Sequence, residues 1–449
     1  MSQWEERRLE RNPKRDGDHR SAYQRDKARI MHCASFRRLQ AKTQVVGVGI
    51  GDFYRTRLTH SLEAAQIGTG ISAQLQQKYS ELTDYLQLDE HLIETICLAH
   101  DIGHPPFGHG GEIALHYMMS DYGGFEGNGQ TFRILTKLEA YSPNDGMNLA
   151  RRSLLGVLKY PNFMSALSNP ACHPIKPTRF SQVKASEWHP PKALFDCDKD
   201  AFDWVLSPLS AKDKAHFMAF ASNEDKLADQ QANKEHNKTQ YKSIDCSIME
   251  LADDIAYGIH DLEDAIVMGL ISQAQFSEEV STPLSTMEIP FLSDKAFDIE
   301  TQLFASEAYA RKNAIGALVN CFITAIEIQT LNDFQDALLK YNAKLPQPYQ
   351  AALQTFKRFV FAHVIKKPEI QLLEFKGQQI VMALFEAFAS EPLRLLPKNT
   401  AKRWQVAKEE SDELSMRVIA DYISGMTDEY ANRVYANLFL PKSHRITDK

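Results

Sequence analysis

The sequence predicts an all-α protein, and three observations predict it. Apolar residues recur at three- and four-residue spacing through 58–78, 90–103, 130–159, 243–270, 300–332, 346–366, 371–391 and 408–440, which lines one face of a helix. No sustained two-residue alternation occurs. No Asn-Gly or Asp-Gly pair joins two apolar runs as a hairpin turn would. The chain has 449 residues, 43% of them hydrophobic and 24% charged, enough for two or three domains around a large core. The reading is a basic arm at 1–38, a helical domain at 39–290 and a further helical region at 291–449 packed on it. An irregular insert interrupts the middle domain at about 160–242.

Charge and composition exclude several classes. Lys and Arg number 51 against 58 Asp and Glu, a net charge of −7, so a globally basic nucleic-acid binder is not expected. The six cysteines are scattered, with no CxxC pair, which predicts free thiols in a reducing compartment rather than a disulfide scaffold. No apolar run approaches the ~20 residues of a membrane helix, and the charged N-terminus lacks the apolar stretch of a secretory leader. A cytoplasmic protein without membrane contact is the expectation.

The elements follow in chain order. The first 38 residues carry 11 Lys and Arg against 6 Asp and Glu, either a solvated basic face or a phosphate contact. In the 58–78 helix His60 shares its face with Ala64, Ile67 and Ile71, an inward stripe. In DEHLIETICLAHDIGH, His100 lies four after Ile96 and seven after Ile93, and Asp101 lies four after Cys97, so both point inward. Gly103 and the Pro105-Pro106 pair stop that helix. Pro161, Pro170, Pro174, Pro177, Pro190 and Pro191 break the first half of the insert. Its second half, NEDKLADQQANKEHNKTQYK, reads as a polar surface loop or exposed helix. The 243–270 helix has an apolar stripe from Ile248 to Ile266. A second face bears Asp253, Tyr257, His260, Asp261 and Asp264, either a solvated acidic surface or the wall of a polar cleft.

A buried His-Asp pair must find partners, because an unpaired buried carboxylate is very costly. Two imidazoles and two carboxylates drawn from three helices make a mixed nitrogen and oxygen site, which favours Mn, Fe, Zn or Mg over soft copper. Such an ion can hold phosphate oxygens or activate water.

These residues carry a resemblance. The order His60, His100-Asp101, Asp253 resembles the HD phosphohydrolase superfamily. The strings ASFRRLQAKTQV, RTRLTHSLE, HDIGHPPFGHGGE, FEGNGQ and MELADDIAY narrow it to the deoxyguanosine triphosphate triphosphohydrolase (dGTPase) family, over about Tyr23 to Asp264. The resemblance implies an HD-domain helical bundle with additional C-terminal helices. It implies His60, His100, Asp101 and Asp253 as ligands of a divalent ion, manganese, magnesium or another first-row metal. It assigns His109 and Glu112 to catalysis, and Arg57, His104 and Lys159 to the phosphates. Gln44, Tyr257 and Asp261 are assigned to the deoxyribose.

Where some relatives have a second histidine in a FEHN string, this chain has Gly127, so the chemistry would rest on His109 with Glu112. The implied reaction releases deoxynucleoside and inorganic triphosphate from dGTP or from dNTPs more broadly. The implied partners are a homo-oligomer, often hexameric, and single-stranded DNA or a nucleotide effector. The alternatives are an HD phosphohydrolase of another nucleotide, or a nucleic-acid-binding regulatory protein with a structural metal site.

Overall fold

In the computed structural model, which describes residues 3–9, 16–44, 55–172, 174–220 and 235–441, the helix Arg57–Lys78 is the axis of the first half. Thr56 starts it with a capping box: its hydroxyl accepts from Thr59 N–H, and the Thr59 side chain returns a bond to the Thr56 backbone, which satisfies two otherwise unpaired donors. Its inward face, Ala64, Ile67, Ile71 and Leu75, is fully buried. That face packs on helices Glu90–Ala99 and Ile244–Ile255, capped by the Asp89 and Ser243 side chains. The first two helices approach closely at Gly68, where a Cβ would sit 2.7 Å from Cys97 Sγ. Three helix ends and faces therefore converge on one polar point within an apolar core.

The core has two parts. The first gathers the three helices above with residues of 290–303, 308–325 and 347–360, so the region beyond 290 shares the core that holds the central helices. The second joins helix Gly108–Met118 and insert residues Val183, Trp188, Ala193 and Phe195 to helices Pro368–Ser390 and Asp412–Ser424. Arg133 stitches the parts together. Its guanidinium donates to Asp198 at 2.7 Å and to both Asp421 oxygens at 2.9 and 3.0 Å, the bidentate geometry that suits Arg best.

The all-α expectation holds, with corrections to single elements. The helix expected over 130–159 starts at Gly127, widens into a π-turn at Ile134–Leu138, breaks off, and resumes at Arg151–Gly156. The interruption, SPNDG at 142–146, is made of turn-forming residues, and Gly146 and Asn148 both adopt positive φ. The expected 300–332 helix is two helices, Pro290–Leu303 and Ala308–Ala325, followed by strand Glu327–Thr330. That strand pairs antiparallel with Tyr341–Lys344; four residues are too few for alternation to stand out. The 408–440 stretch is three helices, because Ser411 and Thr427 side chains cap Leu414 and Tyr430 N–H groups and restart the chain.

The described cysteines are free thiols. Among the described residues no helix is long and apolar enough to cross a membrane. In the basic arm, Arg7 pairs with Asp26 at 2.6 Å and Arg8 with Asp200 at 3.0 Å. Much of the polar stretch expected as a surface loop, 223–234, lies outside the described residues.

Removing Asp421 would leave Arg133 buried with one carboxylate partner fewer. Asp421→Ala is expected to cost roughly 3–5 kcal/mol, read from urea denaturation. Burial opposes ionisation of Asp421, but Arg133 outweighs it and holds the carboxyl below its usual value. Its contribution is present above the unfolded carboxyl value of about 3.9 and is lost as pH falls through the lower folded value. The stability gap between wild type and variant should therefore be flat from about pH 5 to 8 and close only below about pH 4.

Candidate metal centre and active site

The three central helices bring His60, His100, Asp101 and Asp253 together. Donor atoms of His60, His100 and Asp101 all lie within 4.8 Å of one another. Asp253 Oδ1 is 3.1 Å from His60 Nε2 and 3.6 Å from His100 Nε2, and Asp101 Oδ1 is 3.6 Å from His100 Nε2. Neighbouring donors around an ion bound at about 2.0–2.2 Å are roughly 3.0–3.5 Å apart, so these separations suit a coordination shell.

The hydrogen bonding agrees. His100 Nδ1 lies 2.6 Å from the Cys97 carbonyl, which makes it the donor nitrogen and turns Nε2, which has no hydrogen-bond partner, toward the carboxylates as the atom that would ligate an ion. This is how a protein orients a ligating imidazole. Each carboxylate turns its second oxygen to a cation: Asp101 Oδ2 to Arg57 at 2.7 Å, Asp253 Oδ2 to Lys159 at 3.2 Å. The donor set fits a divalent ion. Asp254 faces the other way and pairs with Lys357 at 2.6 Å.

Electrostatics reflect the crowding. Burial opposes ionisation of both aspartates, yet His104, His100 and Arg57 hold Asp101, and Lys159 with the two imidazoles holds Asp253, well below the usual range. Burial alone would lower His60, but Asp253 raises it to about 9. Asp261 is different. Both its oxygens are buried without a hydrogen-bond partner, and burial pushes its carboxyl up to about 7, so it can donate or accept toward a ligand hydroxyl. Tyr257 is half-buried on the same helical segment. The face that sequence left open between acidic surface and cleft wall is thus turned inward at Asp253 and Asp261.

A second cluster borders the first. His104 Nδ1 is 3.0 Å from Asp101 Oδ1, and its ring lies 6.4 Å from that of His109. Burial and Arg57 push the His104 imidazole down. His109 Nδ1 approaches Glu112 Oε2 at 3.4 Å, and the His109 side chain is 66% exposed, open to a ligand. Glu112 is buried and accepts from Gly127 N–H at 2.8 Å. A Cβ at Gly127 would stand 3.2 Å from Glu112 Oε1 and 3.5 Å from the His104 ring, so position 127 borders the pair directly.

Lys192 completes this cluster and sequence reasoning missed it. Its Nζ is 3.3 Å from Glu112 and 3.0 Å from Glu126. The insert that seemed irregular thus delivers an ammonium to the site. The available signal was Pro190-Pro191, which rigidifies the chain just before it. Burial opposes ionisation of Glu112, and Lys192 then His109 overcome it.

His109 and Gln44 open into a cavity of about 460 Å³ whose other wall is C-terminal, including Ile365, Leu373, Glu374 and Asn432. That volume falls in the range of small-molecule sites. No hydrogen bond joins Gln44 to Tyr257 or Asp261 among the described residues, and Gln44 Oε1 is buried without a partner.

Residues 57–156 match the HD domain and 343–437 the phosphohydrolase-associated domain. A deoxyguanosinetriphosphate triphosphohydrolase-like protein of Shewanella sp. (strain MR-4) is 57% identical over 442 residues, 98% of this chain and 97% of the relative. Proteins of the same description from Shewanella pealeana and Shewanella oneidensis are 56% and 57% identical, covering 99% and 98% of this chain and 98% and 97% of their own.

The opposed orientations of Asp253 and Asp254 make a direct test. In a calorimetric titration with Mn²⁺, Asp253→Ala should weaken binding at least about 100-fold, since outer-shell losses alone cost 10–100-fold. Asp254→Asn should stay within about threefold of wild type.

Proposed function

Because the chain belongs to the dGTPase family of the HD superfamily and is a nucleotide phosphohydrolase, we propose that its substrate is a deoxynucleoside triphosphate cut between the 5′-oxygen and the α-phosphorus. Products are deoxynucleoside and intact triphosphate. The observation that carries this reading is the placement of His109, which lines the cavity of about 460 Å³ while its ring lies 6.4 Å from that of His104, the neighbour of the donor Asp101. The family resemblance supplies the reaction.

In this reading His60, His100, Asp101 and Asp253 hold a divalent ion. Manganese, magnesium and other first-row metals all suit its nitrogen and oxygen donors. Such an ion supplies charge neutralisation at an α-phosphate oxygen. The chain's own residues do the rest. Arg57, Lys159, Lys192 and His104 surround the phosphates with positive charge and N–H donors.

A water oxygen bonds to the α-phosphorus as the bond to the 5′-oxygen breaks, and the 5′-oxygen leaves with a proton. His109 is the proton-transfer group, and ionised Glu112 holds its ring. Gln44 and Asp261 take the sugar hydroxyl. Tyr257 packs against C2′, where a ribose hydroxyl would collide. With no histidine at Gly127, Lys192 is the charge that faces Glu112 across that gap. Catalysis is then chiefly positioning and charge stabilisation. An oligomer belongs to the same reading; exposed Leu372 and Phe375, on the helix that walls the cavity, support it.

Chromatography of products from each dNTP with Mn²⁺ or Mg²⁺ tests the reaction. Deoxynucleoside plus triphosphate is expected, and orthophosphate or pyrophosphate would overturn it. His109→Ala should lower kcat by about 10²–10⁴ while Mn²⁺ binding stays within about threefold. Tyr257→Ala should raise turnover of ribonucleotides relative to deoxynucleotides.

A further inference from the structure

Two short segments aim the nucleoside end of the proposed site. Residues 42–44 end at Gln44, and residues 104–107 lead into helix Gly108–Met118, whose first turns carry His109 and Glu112. Both segments are held from residues 424–428. The buried Lys42 ammonium donates to the His104 carbonyl at 2.5 Å and to the Ser424 carbonyl at 2.8 Å. Asp428, also buried, divides its carboxylate. Oδ2 accepts from Thr43 N–H at 2.9 Å and from the Thr43 hydroxyl, and Oδ1 accepts from Phe107 N–H at 2.9 Å.

Asp428 is the first residue of its helix, where an acid commonly faces the unpaired N–H groups of the first turn, yet its oxygens are directed elsewhere. Thr427 accepts from Tyr430 N–H and performs that task. Among the described residues the cation that feels the charge of Asp428 is Lys42, itself part of the first segment. The Asp428 oxygens are turned to the two active-site segments alone. Phe107 has φ 62 and ψ 25, a left-handed conformation a bulky residue holds only when its surroundings enforce it. Gly377 contributes to that enforcement, since a Cβ there would stand 2.3 Å from Phe107 Cβ.

We propose that Asp428 is a positioning residue for this active site, setting Gln44 and His109 relative to each other from the C-terminal region through one shared carboxylate. The inference rests on the dNTP reading for its effect on turnover. An amide cannot replace the carboxylate. With one acceptor oxygen, the side chain of Asp428→Asn would set its own NH₂ against the N–H of either Thr43 or Phe107, and one segment would lose its anchor. The metal donors sit on other elements and should be untouched.

The experiment compares wild type, Asp428→Asn and the milder Thr43→Val as full-length proteins. For Asp428→Asn, kcat/KM on a dNTP should fall roughly a hundredfold, the cost of about 1 Å of misplacement. Mn²⁺ affinity should stay within about threefold, and Tm should hold within a few degrees. Thr43→Val, which loses only the hydroxyl, should lose a few-fold, mainly in KM. Hydrogen exchange followed by mass spectrometry reads positioning without turnover. Peptides from 42–44 and 104–112 should exchange faster in Asp428→Asn, with 57–78 and 244–255 unchanged. Wild-type turnover in the variant, unchanged exchange, or uniform loosening together with lost metal affinity would each overturn the proposal. If Asp428→Asn fails to fold, unchanged kinetics and exchange in Thr43→Val would overturn it. A wild type that cleaves no dNTP would instead overturn the functional reading, and the exchange comparison would then decide on Asp428.

Discussion

Two carboxylates and two imidazoles held within a few ångströms inside an apolar helical core are the constraint on which the rest of this structure depends. Asp101 and Asp253 share that point with His60 and His100, and ionised carboxylates removed from water must meet positive charge. The fold answers twice. Arg57 and Lys159 take the outward oxygens, and the inward oxygens converge with the imidazole lone pairs where a divalent ion fits. The helix caps at Thr56, Asp89 and Ser243 serve this arrangement, since each fixes the start of a helix whose face or far end must reach the same place.

The second half of the molecule solves a different problem. In the proposed reaction His109 has to be reachable while its partner stays buried, and the two side chains differ in that sense, 66% against 3% exposed. Glu112 is held by a backbone N–H and by Lys192, which also faces Glu126. Charge around His109 is thereby set by three segments distant in sequence. A ligand meeting His109 also meets a wall made by the C-terminal helices, so the region beyond 343 contributes surface to the site as well as core.

The short-range features were legible in the chain. Helix Arg57–Lys78 was placed within a few residues, and the start of the 243–270 stretch at Ile244 was too, because caps and periodicity act over one or two turns; its continuation as a π-turn at Ala256–His260 and a second helix Asp261–Val267 was not. Errors arose where local punctuation was weak or overlooked: the SPNDG turn inside an expected helix, and a four-residue strand pair that forms only because Glu327–Thr330 and Tyr341–Lys344 meet. Among site residues, the inward faces of His60 and His100 followed from spacing, whereas the direction of the face bearing Asp253 stayed open. Lys192 did not, because Pro190-Pro191 marks a stiffened stretch of chain but carries no sign that the next ammonium reaches Glu112 and Glu126.

Sequence by itself determined the helical class, the identity of the chemical groups and the faces they occupy, all set by helical period and residue type. Tertiary structure alone decided which groups meet. It turned Asp253 inward and Asp254 to Lys357, brought the insert's Lys192 against Glu112, and set Asp428 between Thr43 and Phe107 across more than 300 residues of chain. Such contacts depend on how separate helices pack, and no local pattern in a sequence encodes a distance between elements.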